Sequence, residues 1–246
     1  MSEQLYLTFF IIFILAGFVK GVTGMGLPTV AMGLLGLLMS PPAAAALLVI
    51  PSFVTNVLQL FTGPSALPII RRLWLMMLLS LTGTIAASSL LVSVDPIWSA
   101  CGLGGMLIIY ALFALASPSF AVSLTTEKWL SPIIGGITGV MTGATGVFVI
   151  PAVPFLQSLH FSKDELIQAL GLSFTVSTIG LSAGLYLHNT FTTEQLSLSL
   201  TSVLPALAGM WLGQQLRMHI SARLFRRCFL LLLMVFGTEL ISRALI

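Results

Sequence analysis

The chain has 246 residues, of which 57% are hydrophobic and only 7% charged, with a mean hydropathy of +1.10. A soluble domain carries about a quarter charged residues, so a water-facing surface cannot be built from this composition, and a disordered chain would be charge-rich and apolar-poor. Unbroken apolar runs such as Leu103 to Ala116 also exclude the alternating strands of a transmembrane barrel, which leaves an all-α polytopic membrane protein.

A membrane-crossing helix needs roughly 20 apolar residues. Charges and prolines divide the chain into eight apolar stretches, at 5–39, 41–62, 73–93, 97–117, 129–157, 166–187, 195–216 and 224–245. Six have the length of one crossing. The first and fifth are too long for one helix and too short for two full ones. Glycines interrupt both: Gly17, Gly21, Gly24 and Gly26 before Pro28, and Gly135, Gly136, Gly139, Gly143 and Gly146 before Pro151.

These two stretches repeat each other. Gly17 to Gly24 and Gly139 to Gly146 both read G-x-x-x-G-x-T-G, at an offset of 122 residues. The same offset aligns Ser40 with Ser162, and a slip of one residue aligns Ser52-Phe53 with Ser173-Phe174. A single transmembrane domain, 1–246, is predicted, built from repeats at about 1–120 and 121–246.

Positive charge in short loops favours the cytoplasmic side. If each long stretch crossed once, Arg71, Arg72, Lys128 and Arg243 would face Lys163, Arg217, Arg223, Arg226 and Arg227 across the membrane, with no bias. If each instead turns back as a pair of short helices, all of these except Arg243 fall on one side. The second arrangement predicts ten helical pieces, four of them short, with both termini outside. Each half then has three crossings plus a re-entrant pair, so the second half is inverted relative to the first. Inverted repeats with broken helices are a transporter architecture, with the site near the midplane at the breaks. Tyr6, Trp98 and Tyr186 suit the outer interface, and Trp74 and Trp129 the inner one. Glu239 and Arg243, four apart, are expected to pair. His160, His188 and His219 fall at span ends.

The breaks point to anion binding. Pro28 and Pro151 suit the first turn of a helix, so each would start a short helix whose N-terminal N–H groups attract an anion. Gly21, Gly24, Gly26, Gly143 and Gly146 would let the backbone approach a ligand, and Thr23, Thr142 and Thr145 would add hydroxyl donors. Lys20 lies deep in the first stretch, at an insertion cost of about 2.5–3.5 kcal/mol, with no carboxylate predicted at its depth. Such a cation implies an anionic partner, which the substrate supplies. Asn56, Gln59, Gln168, Ser173, Thr175 and Ser177 are further candidates for lining the path. Helix packing alone also explains G-x-x-x-G spacing, including Gly180/Gly184 and Gly209/Gly213, and membrane Ser and Thr often bond back to their own helix.

The motifs G-F-V-K-G-V-T-G-M-G-L-P at 17–28 and G-V-M-T-G-A-T-G-V-F-V-I-P at 139–151 resemble those of the sulfite exporter TauE/SafE family, also called the toluene sulfonate uptake permease family. The resemblance covers essentially the whole chain. It implies a transporter of sulfite, organosulfonates or small carboxylates in the bacterial inner membrane, often an exporter. A negative-inside potential favours anion exit by about 2.3 kcal/mol per charge per 100 mV.

Other classes fit less well. A cation or metal carrier needs carboxylates, His or Cys at liganding spacing, where the break carries Lys20. An intramembrane serine enzyme needs a Ser at a glycine turn facing a His, and no G-x-S-x-G motif occurs. Cys101 and Cys228 read as small core residues. Met1 to Gln4 carry no basic region, so a cleaved leader is not expected. No cofactor or nucleic-acid partner is expected; the partners are a small anion, lipid and, in an oligomer, further copies of the chain.

Overall fold

A computed structural model describes residues 3–63, 66–116, 121–217, 219 and 222–245. The side chains of 3–5, 222 and 223 lie outside the described set, so the basic side chain of Arg223 is not placed; neither are Met1 and Ser2. Among the described residues the chain forms helices and turns with no strand. The helices are α1 (Glu3–Thr23), α2 (Leu27–Leu35), α3 (Pro41–Leu60), α4 (Ala66–Ser93), α5 (Pro96–Ala116), α6 (Leu124–Thr145), α7 (Ala152–Ser158), α8 (Lys163–Leu187), α9 (Thr193–Thr201), α10 (Val203–Leu216) and α11 (Ala222–Leu245).

Among the described residues seven segments are long and apolar enough to cross a membrane: most of α1, then α3, α4, α5, α8, the α9–α10 pair and α11. The protein is therefore an all-α polytopic membrane protein. Each glycine-broken stretch holds two helices, but not two short ones. α1 and α6 have 21 and 22 residues, whereas α2 and α7 have nine and seven. The breaks lie late in their stretches because left-handed backbone occurs only at the last motif glycines. Gly24, Gly26 and Gly146 have φ of 78°, 102° and 72°, a region that other residues enter at a cost.

Local chemistry explains most ends. Ser162 and Thr192 close capping boxes with Glu165 and Gln195 at the starts of α8 and α9. Ser40, aligned with Ser162, is likewise the N-cap of its helix. Pro41 and Pro96 occupy first helical positions. Pro205 lacks the N–H that Thr201 would accept, and the stretch expected to be one helix divides there into α9 and α10. Pro51 inside α3 likewise frees the carbonyl of Leu47. Ser199 of α9 fills it, its Oγ donating to Leu47 O at 2.7 Å. A carbonyl freed in hydrocarbon needs such a partner.

Glycine decides the helix contacts. A Cβ on Gly17 or Gly21 would lie 2.1 Å from the carbonyl of Ala206 or Met210 of α10, and Gly209 and Gly213 are as tightly placed against Ile14 and Phe18 of α1. Gly135, Gly139 and Gly143 of α6 meet the carbonyls of Met76, Ser80 and Thr84 of α4 in the same way, at 2.2–2.5 Å. Both pairs run parallel, since contacts advance together along each. α3 and α8 run antiparallel: Asn56 meets Thr178, whereas Leu60 meets Gly171. α5 and α11 are antiparallel too, with Gly104 and Gly237 each against the other's carbonyl at 2.6 Å. Small residues in this register let backbones touch, the main source of helix association in lipid.

Tyr6, Trp98 and Tyr186 lie in the first or last turn of their helices, whereas Trp129 and Trp74 lie further in, at the sixth and ninth residues of α6 and α4; all five are exposed. Arg243 pairs with Glu239 at 2.7 Å. A second pair forms at the basic end, where Arg72 makes two bonds of 2.6 Å to the buried carboxylate of Glu127 and stacks 4.5 Å from the ring centre of Phe161. The cysteines are not in the core: Cys101 is half-buried and Cys228 exposed, because α5 and α11 face each other through Gly104 and Gly237 instead.

Candidate functional site

Lys20 is 2% exposed and sits in the last turn of α1. Its ammonium donates to Oδ1 of Asn56 on α3. Asn56 Nδ2 in turn donates to Oγ1 of Thr178 on α8 at 3.3 Å, and that hydroxyl donates to Phe174 O at 2.7 Å. The ammonium also lies 6.0 Å from the ring centre of Phe174, the outer limit for attraction between a cation and an aromatic face. Among the described residues the ion pairs are Arg72–Glu127 and Arg243–Glu239, and Lys20 belongs to neither. The site thus holds a buried ammonium whose described polar partner is a neutral amide. Asn56 and Thr178 stand 122 residues apart, the offset of the repeated glycine motif.

Other buried polar groups lie on the same helices and on α2. Ser52 lies one turn from Asn56 on α3; Ser173 and Ser177 flank Phe174 and Thr178 on α8; Thr29 is in the first turn of α2. All four hydroxyls are buried, and none has a hydrogen-bond partner within the described protein. A buried hydroxyl without a partner costs free energy, which a polar partner would recover.

The breaks do not meet at one depth. Gly24 O accepts from Gln59 Nε2 at 2.7 Å near the end of α3. A Cβ on Gly146 would instead lie 3.7 Å from Ala45, near the start of α3. Those α3 positions are fourteen residues apart, about 21 Å along the axis. The starts of α2 and α7 therefore do not converge on one ligand. An aromatic bridge connects the second break to Lys20 instead: Phe148 lies 5.8 Å from Phe174, and Phe174 faces the ammonium.

The other predicted residues divide by role. Gly21 and Gly143 form helix contacts, whereas Gly24, Gly26 and Gly146 form the turns. The hydroxyls of Thr142, Thr145 and Thr175 donate back to Thr138 O, Met141 O and Gly171 O, all at 2.7 Å. Thr23 turns to Val19 O and Met25 O and so caps α1. These four close their own helix ends or turns rather than presenting donors to a ligand. Gln59 and Gln168 clamp α3 to α8: Gln59 donates to Ile167 O at 3.0 Å, and Gln168 to Leu60 O at 2.8 Å. Sequence reasoning did not single out Thr178, although the motif offset from Asn56 leads to it, nor Phe174 as the ring beside Lys20.

A cavity of about 770 Å³ opens between α3, α8 and the turn into α9. Phe53, Ser182, Tyr186, Asn189 and Phe191 help line it, and it reaches Thr178 at the end of the Lys20 network. Its Tyr186 and Asn189 lie at the end of the helices opposite Arg72 and Arg217. Among the described residues no three His, Cys, Asp or Glu side chains come together.

No curated protein and no solved structure matches the chain. The sequence model of the family described as sulfite exporter TauE/SafE matches residues 9–240, nearly the whole chain. With that match over nearly its whole length, and with its long apolar helices, the chain belongs to the sulfite exporter TauE/SafE family of membrane transporters.

Proposed function

We propose that the protein carries a small anion (sulfite, an organosulfonate or a small carboxylate) across the bacterial inner membrane, without catalysis, and that Lys20 is the counter-charge that binds it. One observation carries this reading: a fully enclosed ammonium held by Asn56 in a chain with no third described ion pair. An ammonium in low dielectric attracts an anion strongly, and Ser52, Ser173 and Ser177 are available to donate to it. The anion is bound between α1, α3 and α8, where Gly21, Gly24 and Gly26 shape the end of α1, rather than between two helix starts. The outer cavity ending at Thr178 supports access from the non-cytoplasmic side.

We further propose that 1–120 and 121–246 are inverted repeats related by a two-fold axis in the membrane plane. The contact pattern supports this. α1 on α10 corresponds to α6 on α4, while α3–α8 and α5–α11 are each antiparallel, as contacts across such an axis must be. Both termini then lie outside. Sulfite and sulfoacetate flux in proteoliposomes, wild type against Lys20→Met, tests the transport reading; unchanged rate and selectivity in the variant refute the role of Lys20.

A further inference from the structure

A second, smaller cavity of about 170 Å³ lies at the basic end of the molecule, beside the first break. Thr23 and Met25 of the break, Tyr110 of α5, Gln157 of α7, Arg217 at the C-cap of α10 and Arg226 of α11 line it. Five helices thus bring their ends to one pocket. Among the described residues lining it none is acidic, and two carry guanidinium groups. Arg226 is anchored, its Nη2 donating to Ala114 O at 3.1 Å. Phe229 forms an apolar wall and packs on Gly26, where an added Cβ would come within 3.2 Å of its ring. Thr23 is three residues beyond Lys20 on α1, about 4.5 Å along the helix axis.

We propose that this cavity is a recruiting site for a small oxyanion on the cytoplasmic side, from which the anion passes to Lys20; the proposal rests on the transport reading above. Guanidinium groups suit oxyanions because their planar forks match two oxygens at once. The side-chain amide of Gln157 adds polar atoms to a remaining wall, while the hydroxyls of Thr23 and Tyr110 are held by the break itself. Size sets the substrate class. At about 170 Å³ the space lies below the roughly 300 Å³ where pockets for larger organic ligands begin. It favours sulfite or a short carboxylate over a bulkier aryl sulfonate. The cytoplasmic cavity therefore acts as a size filter that the larger outer cavity does not impose.

The test is sided. Sulfite uptake is measured in inside-out vesicles, which present the cytoplasmic face, and in right-side-out vesicles, each with toluenesulfonate as competitor. Arg217→Gln and Arg226→Gln are each expected to raise the KM for sulfite about tenfold from the cytoplasmic face, and far less from the outer face. Arg226→Lys, which keeps the charge, is expected to recover part of the loss. Toluenesulfonate is expected to compete weakly from the cytoplasmic face. Arg217 is exposed, so its variant carries the test if Arg226→Gln fails to elute as folded protein. Wild-type flux that stops in Lys20→Met but keeps its cytoplasmic KM in Arg217→Gln overturns the recruiting site and leaves the Lys20 reading standing. Strong cytoplasmic competition by toluenesulfonate overturns the size filter. Absence of wild-type sulfite flux overturns both readings.

Discussion

Asn56→Leu isolates the energetics of the buried cation. It removes the described polar acceptor of an ammonium that is 2% exposed. A hydrogen bond to a charged group contributes about 1.5–3 kcal/mol. In a chain of this length 1 kcal/mol shifts Tm by about 2–4 °C, so the variant is expected to lose about 3–12 °C. Lys20→Met has a different balance. It orphans Asn56 Oδ1 but removes a charge that is costly to bury, so its own shift is smaller. The double variant removes both partners and leaves an apolar contact, which is close to neutral. Its Tm is expected near that of the wild type, above the sum of the single shifts by at least about 3 °C, the equivalent of the roughly 1.5 kcal/mol coupling. The assay is thermal unfolding of the four proteins in one detergent, followed by the loss of monodisperse elution after heating. Additive single losses refute the claim that Lys20 and Asn56 form one energetic unit.

Helix packing gives a paired control. Gly139→Ala places a Cβ 2.4 Å from Ser80 O and should lower Tm by several degrees, whereas Gly136→Ala meets nothing within 4 Å and should leave it unchanged or slightly higher. Equal shifts would contradict the contact between α4 and α6. Orientation is read by cysteine labelling. A cysteine at Asn189 should react from outside and one at Lys163 from the cytoplasm only, and the reverse pattern would overturn the proposed sidedness. The vesicle measurement on Arg217 and Arg226 stands beside these as the test of the cytoplasmic cavity.

The crossings were legible in the sequence because apolar length and charge position are local properties. α3, α4, α5, α8 and α11 lie where the apolar stretches do, and Tyr6, Trp98, Tyr186 and the histidines fall at helix ends. The position of the breaks was less legible. G-x-x-x-G-x-T-G combines two demands in one motif: Gly17 and Gly21 let α1 touch α10, and only Gly24 and Gly26 turn the chain. Spacing alone does not separate a packing glycine from a turning one. That is why the two breaks were expected at one depth and the structure has them at opposite ends of α3. The depth of Lys20 was readable, but its partner was not. Asn56 lies 36 residues away, and the bond depends on how α1, α3 and α8 cross. The hydroxyls of Thr142, Thr145 and Thr175 turn back into their helices for a general reason: a carbonyl four residues earlier is the nearest acceptor. Thr178 makes the same bond and still accepts from Asn56, because its second face meets α3.

Flux through reconstituted protein tests the central claim most directly. Wild type in oriented proteoliposomes is expected to carry sulfite down its gradient, faster when the membrane potential drives the anion. Lys20→Met is expected to lose at least about tenfold in rate, since removing one charge-assisted contact costs about 1.5–3 kcal/mol, while remaining folded by its elution profile. A folded Lys20→Met variant with wild-type sulfite flux and unchanged selectivity would contradict the account.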